Sequence, residues 1–279
     1  MKKRIGLLLF LTAGVSLHSC YSPRYVYSPV TQNIPQIHNK NDWEVAGSYS
    51  GSLPVFEEKG NYNSGFDIHT AWAFSKHFAV TVNRSFHWEK NGNNDTFYPG
   101  DTSLLSYKRN FSEMGIGYFA SPLYNPKMQF QLFAGVAVGK SNIFDDYFSG
   151  NTQVRKYHES NVTKLYLQPA VNFTPSKYVS AALSSRFTAV IFTHIHSNYS
   201  PTELANYLLD SLTVSPVFFW EPGFTLTVGF KKMPVKIQAQ GSLAVLLNHR
   251  FVEHRTGNFG LGIVADFSKK KIKSNPPGN

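Results

Sequence analysis

The chain of 279 residues has one cysteine, Cys20, so no disulfide within the molecule can staple its fold. Its apolar run at residues 5–11 is too short to cross about 30 Å of hydrocarbon as a helix. Charge is scarce at 16% of residues, which argues against a water-facing shell of lysine and glutamate. The net charge is +10, but the basic residues are scattered and not massed on one helix, which excludes a nucleic-acid-binding face and leaves anionic lipid head groups as the simpler partner. No recognisable nucleophile motif is present, and no acidic run follows Cys20.

The chain opens with Lys2, Lys3 and Arg4, then the apolar run, then small residues, the three zones of a secretory signal. At its end Leu17-His18-Ser19-Cys20 resembles the lipobox of bacterial lipoproteins, with His18 where a small or apolar residue is usual. The resemblance implies cleavage before Cys20 and acylation of its sulfur and amine, and several acyl chains give lasting anchorage where one is marginal. Loss of residues 1–19 removes three basic and no acidic residues, leaving +7.

Residues 20–41 carry prolines at Pro23, Pro29 and Pro35 and read as an extended acylated linker that buries no core. From residue 42 the pattern becomes period-two alternation, the mark of strands with one apolar and one polar face. Phe66, Ile68, Thr70 and Trp72 alternate with Asp67, His69 and Ala71; Phe224, Leu226 and Val228 alternate with Gly223, Thr225 and Thr227. Arg84 interrupts one apolar face. About ten such segments lie in residues 42–268, many of about nine residues or more, the length of a tilted membrane-crossing strand. Their polar faces are rich in Gly, Ser, Thr, Gln and Asn. Short connections at Lys76, "SPLYNPK", "TPSK" and "KKMP" alternate with long ones, among them the stretches from Asp145 to Ser160 and from His194 to Ser215.

These features together resemble the outer-membrane β-barrel proteins of Gram-negative bacteria. The fold class is therefore all-β: a closed antiparallel transmembrane barrel of about ten strands, eight to twelve being possible, with short periplasmic turns, long outer loops and a basic tail at residues 269–279. Phe267 approximates the terminal aromatic of such barrels. A first strand starting at the periplasmic side would place acyl chains on Cys20 in the inner leaflet of the outer membrane.

Ten strands leave little bore beyond what side chains fill. Asp67, Glu113, Lys164, Gln168, Arg186 and Glu221 are expected inside at mid-depth, where charges must pair. The expected role is structural, adhesive or narrow-channel, with a mostly plugged polar interior and no cofactor or metal. The alternatives are a barrel enzyme acting on lipid or peptide at the outer rim, and a lipid-tethered soluble periplasmic β-protein. Rim groups that could serve the enzyme are Asp145, Asp146, His194, His196, His249 and His254. In the long stretch after His194, Ser200, Pro201 and Glu203 form a capping-box pattern that predicts a short helix with Leu204, Leu208 and Leu212 on one face, capping the mouth or meeting a protein partner.

Overall fold

The computed structural model describes residues 24–51, 61–92, 104–149, 152–176, 178–229, 235–248 and 252–267. Cys20, the signal at 1–19, His249 and the tail at 269–279 lie outside the described residues.

Alternation becomes a single sheet of β1 (Trp43–Gly51), β2 (Asn61–Trp72), β3 (Phe78–Gly92), β4 (Leu104–Ala120), β5 (Met128–Ser149), β6 (Thr152–Ser176), β7 (Val179–Ser197), β8 (Val217–Gly229), β9 (Val235–Leu243), β10 (Val245–Leu246) and β11 (Gly257–Phe267). Each strand from β1 to β9 runs antiparallel to the next, and β11 lies between β9 and β1. The pairing of β1 with β11, from Trp43 opposite Phe267 to Gly51 opposite Phe259, closes the ring. β10 continues β9, since Val245 faces Trp220 in the same register in which Ser242 faces Gly223. The break falls opposite Pro222, which has no N–H to give, and Ala244 donates instead to the Thr256 carbonyl at 2.8 Å. Taken as one stave, β9 and β10 make a closed antiparallel barrel of ten strands, as alternation predicts.

The parity of each strand decides its faces. Met114, Leu183 and Leu261 point outward and are 61, 69 and 65% exposed, whereas Asp67, Thr227 and Gln168 point inward and are 0 to 1% exposed. A closed ring pairs every ladder amide, which is what allows strands to cross lipid. An apolar outer face on such a ring does not fit a lipid-tethered soluble protein, and that alternative is set aside.

Two connections differ from expectation. The stretch from Asp145 to Ser160 is not a loop: β5 and β6 pair without interruption from Met128 opposite Phe173 up to Ser149 opposite Thr152. Arg155 clamps Asp146 across the strands at 2.6 and 2.9 Å. With 25 residues, β6 is about 80 Å long at about 3.3 Å per residue, far more than the nine to eleven residues that about 30 Å of hydrocarbon requires. The hairpin therefore projects beyond the membrane on the loop-bearing side. β7 likewise runs on to Ser197 and carries His194 and His196 as strand residues.

The expected helix forms as α1 (Pro201–Asn206), with the Ser200 and Glu203 capping box complete on both sides. It ends sooner than its leucine spacing suggests. Leu208 adopts a left-handed φ of 57°, so Leu209 in place of Leu208 joins Leu212 among the buried residues that cover the mouth, with Tyr199, Val217, Phe219 and Val252.

Candidate functional site

The bore is occupied by the chain's own N-terminal segment. Residues 24–38 form no helix and run on without a turn, as their prolines imply, but residues 26–37 are almost entirely buried within the barrel. The expectation of a linker that buries nothing is corrected here. The physical reason lies in the inward faces: their Gln, Asn and Ser side chains supply the hydrogen bonds that a proline-interrupted strand cannot get from a ladder.

β5 serves as a ruler for the direction of this strap. Gln129 donates to the Ile37 carbonyl at 2.7 Å, Gln131 to Pro35 at 2.6 Å, and Ser141 to Val26 at 3.2 Å. Asp145 then binds the Arg24 guanidinium at 2.6 Å. As β5 rises from its short turn toward the loops, strap numbering falls. The strap thus enters β1 at the short-turn end and starts at the loop-bearing end. Side chains around the whole ring hold it between: Gln168 donates to Asn33 at 2.8 Å, Asn172 to Pro35 at 2.9 Å, Ser184 to Gln32 at 2.6 Å and Ser242 to Val30 at 2.9 Å. At the bottom, His38 and Asn39 donate their backbone N–H groups to the Asp42 carboxylate at 3.0 and 2.7 Å, turning the chain into β1. Near the top, Tyr27 stacks on Phe219 at 4.2 Å.

Each of the six interior residues singled out above is buried. Glu113, Gln168 and Arg186 meet directly: Arg186 donates to both Glu113 oxygens at 3.0 and 3.1 Å and to Gln168 at 2.8 Å. Asp67 belongs to a second group, accepting from Thr31 at 2.7 Å and Ser50 at 2.6 Å and lying 3.0 Å from the His87 ring. Asn83 and His69 link the two: Asn83 donates to Glu113 at 2.6 Å and accepts from Asn33 at 2.7 Å, and the His69 ring lies 3.3 Å from the Asn83 oxygen and 3.0 Å from the Thr31 hydroxyl. Glu221 accepts from the Tyr27 hydroxyl and, at 3.1 Å, from Thr188. The Lys164 ammonium sits over the Phe111 ring at 3.9 Å and the Tyr27 ring at 4.6 Å. A third buried group, not singled out in the sequence, has Glu89 between Arg109 and Arg255.

A cavity of about 10 Å³ lies beside Thr31, Asp67, Glu113 and Lys164, room for a single water. Ser50, His87 and Asp67 have the residue types of a hydrolytic triad but not its order. The serine donates to the carboxylate itself, and the group is sealed beneath the strap.

The rim residues are not brought together. Asp145 is engaged by Arg24 and Asp146 by Arg155. His194 and His196 are exposed, and the His254 ring lies 5.2 Å from Phe219. Among the described residues, no three His, Cys, Asp or Glu side chains gather as a metal site would require. On α1, Lys156 and Ser200 hold the Glu203 carboxyl down to about 2 from its ordinary 4.5.

A ring of ten antiparallel strands with an apolar exterior and a strapped polar bore is the outer-membrane β-barrel fold. The chain matches no protein-family profile and no curated protein. Solved structures similar to it are also barrels. The translocator domain of the autotransporter NalP from Neisseria meningitidis shares 10% identity, with a TM-score of 0.48 over 83% of this chain and 88% of that one. The outer membrane protease OmpT of Escherichia coli shares 8%, with a TM-score of 0.41 over 85% and 100%. Ail, the attachment invasion locus protein of Yersinia pestis, shares 10%, with a TM-score of 0.34 over 82% and 99%. At these values the likeness carries nothing about activity.

Proposed function

We propose that the chain is an outer-membrane barrel lipoprotein with a closed bore, serving a structural or adhesive role at the cell surface and not conduction or catalysis. The observation that carries this reading is the strap. Residues 24–37 run buried through the interior from end to end, and the cavity beside Asp67 and Lys164 has room for about one water. The projecting β5–β6 hairpin and the covered mouth supply an outer surface for adhesion.

The strap also bears on the anchor. Cys20 precedes Arg24 by four residues, a reach of at most about 14 Å, and Arg24 is bound to Asp145 at the loop-bearing end. Acyl chains on Cys20 would then enter the membrane from the outer face, opposite to the inner-leaflet placement that the linker reading implied.

In planar bilayers the full-length protein should show no steady current at either polarity, while deletion of residues 24–37 should open a conducting bore. Equal conductance in the two would sink the closed-bore reading. If the deletion prevents folding, Gln129→Ala with Gln131→Ala, which loosens the strap and spares its chain, should give intermittent openings. Palmitate labelling of the protein and of Cys20→Ser, followed by protease treatment of intact cells, tests the anchor. Loss of label with Cys20→Ser, and release of an N-terminal lipopeptide from the cell exterior, are the expected results.

A further inference from the structure

We propose that the outer wall formed by β3, β4 and β5 binds a phosphorylated lipid of the outward-facing leaflet through Lys90, Lys108 and Lys140. This rests on the membrane-spanning reading above and goes beyond it in naming a ligand and a place.

The three lysines belong to three consecutive strands, and each stands twelve residues from the short-turn end of its strand, counting from Phe78, Ala120 and Met128. Twelve residues at about 3.3 Å each, on strands tilted about 40°, rise about 30 Å. The apolar band of such barrels is about 25 Å tall. All three ammonium groups therefore reach the same height, at the head-group plane on the loop-bearing side. Each shares the outward parity of its strand and is exposed.

Register brings them together. Lys108 lies opposite Trp88 on β3 and Asn142 on β5; Lys90 lies opposite Ser106, and Lys140 opposite Asn110. Each lysine is thus a diagonal neighbour of the next, about 7–8 Å away. Ser106, Asn110 and Asn142 fill the positions between them with hydroxyl and amide groups. Below lie Val82, Met114, Ile116, Val136 and Val138, an exposed apolar surface for acyl chains.

Two features give the patch its sign. Asp146 at its upper edge is already bound to Arg155, and Glu159, opposite Asn142 and so a diagonal neighbour of Lys140, sets one carboxylate against three ammonium groups. Elsewhere the outward positions of β1, β2, β7, β8, β9 and β11 carry no lysine or arginine at this height among the described residues; Lys236 sits at the short-turn end against Asp266. Arg84, lower on β3, donates to Ser112 at 2.5 Å and lies outside the cluster. A cluster of compact cations on one side of a barrel, at phosphate depth and above an acyl-sized apolar surface, matches a lipid phosphomonoester. Interfacial lysines attract such anionic head groups.

The test uses full-length protein in phosphatidylcholine nanodiscs, with or without phosphatidic acid, and native mass spectrometry to count retained lipid. Incorporation into the discs checks the barrel reading by itself. Wild type should retain phosphatidic acid over phosphatidylcholine, and Lys90→Gln, Lys108→Gln, Lys140→Gln combined should weaken that retention at least tenfold. A control with Lys76→Gln and Lys127→Gln, at the opposite end, should leave it unchanged. Incorporation without preference, or equal retention by the triple variant, overturns the proposal. Displacement by millimolar inorganic phosphate would make the site one for the free anion and overturns the lipid assignment.

Discussion

Arg186 is sealed in the bore with Glu113 and Gln168 as its hydrogen-bond partners, and its guanidinium lies 4.3 Å from the Tyr166 ring centre. Removing one member of a buried pair leaves an uncompensated charge, at about 3–5 kcal/mol, whereas replacing both by apolar groups of similar volume costs far less. Glu113→Leu alone should therefore lower the urea midpoint in detergent strongly, and Glu113→Leu with Arg186→Met should recover most of the loss. A double variant as unstable as the single would show that the pair does more than neutralise itself. The Tyr166 ring needs room of its own. A Cβ at Gly115 would lie 2.3 Å from the Tyr166 hydroxyl, and one at Gly135 would lie 2.5 Å from it. Gly135→Val should destabilise by about 1–3 kcal/mol through overpacking, measurable as a lowered temperature for loss of the compact band on unheated gels.

Among the elements, α1 shows how a short helix survives outside the membrane. Six residues cannot hold a helix in water unaided, so its cap and its contact with β6 carry it. Ser200→Ala should cost about 1 kcal/mol and speed proteolysis in residues 198–215. Glu203 adds a pH dependence. Its folded value, about 2, is depressed from 4.5, so its contribution is fully present above pH 4.5 and is lost as pH falls toward 2. Protection of this segment should fall across that window in the wild type and stay flat in Glu203→Gln; a flat wild-type profile would remove Glu203 from the account. The strands and this helix were legible in the chain because both rest on local patterns, a two-residue period and a capping box. The long β5–β6 hairpin was not, because the polar residues from Asp145 to Ser160 resemble a loop in composition. Nor was the strap. Its partners are single Gln, Asn and Ser residues spread over many strands, each an ordinary inward polar position, and only the closed ring brings them to one line of carbonyls. For the same reason Asp67, Glu113 and Arg186 could be placed on inward faces from parity, but their grouping through Asn83 could not.

At the scale of the whole molecule, the barrel and its strap are one structure. The ring supplies donors that face inward, and the strap supplies carbonyls that would otherwise be unpaired. Shortening the strap by loss of residues 24–28 should leave the lower contacts at Pro35 and Ile37 intact while freeing Asp145 and Glu221. Fluorescence of an accessible dye at the mouth should report an opened upper bore with no loss of strand content by circular dichroism; a fully unfolded product would show that the upper half of the strap is required for the ring itself.

The turn at Asp42 joins strap and β1 with no slack between them, and β1 is also one side of the pairing with β11 that seals the ring. Assembly therefore has an order. A finished cylinder would have to admit Tyr27, Gln32 and Gln36 lengthwise past one another's partners, whereas an open sheet can lay itself around a segment already in place. The barrel is best regarded as wrapped onto its own leader, with the β1–β11 seam as the final event. A synthetic peptide of residues 24–41 should then restore a strap-deleted chain when present during refolding, and fail to do so once the seam has formed.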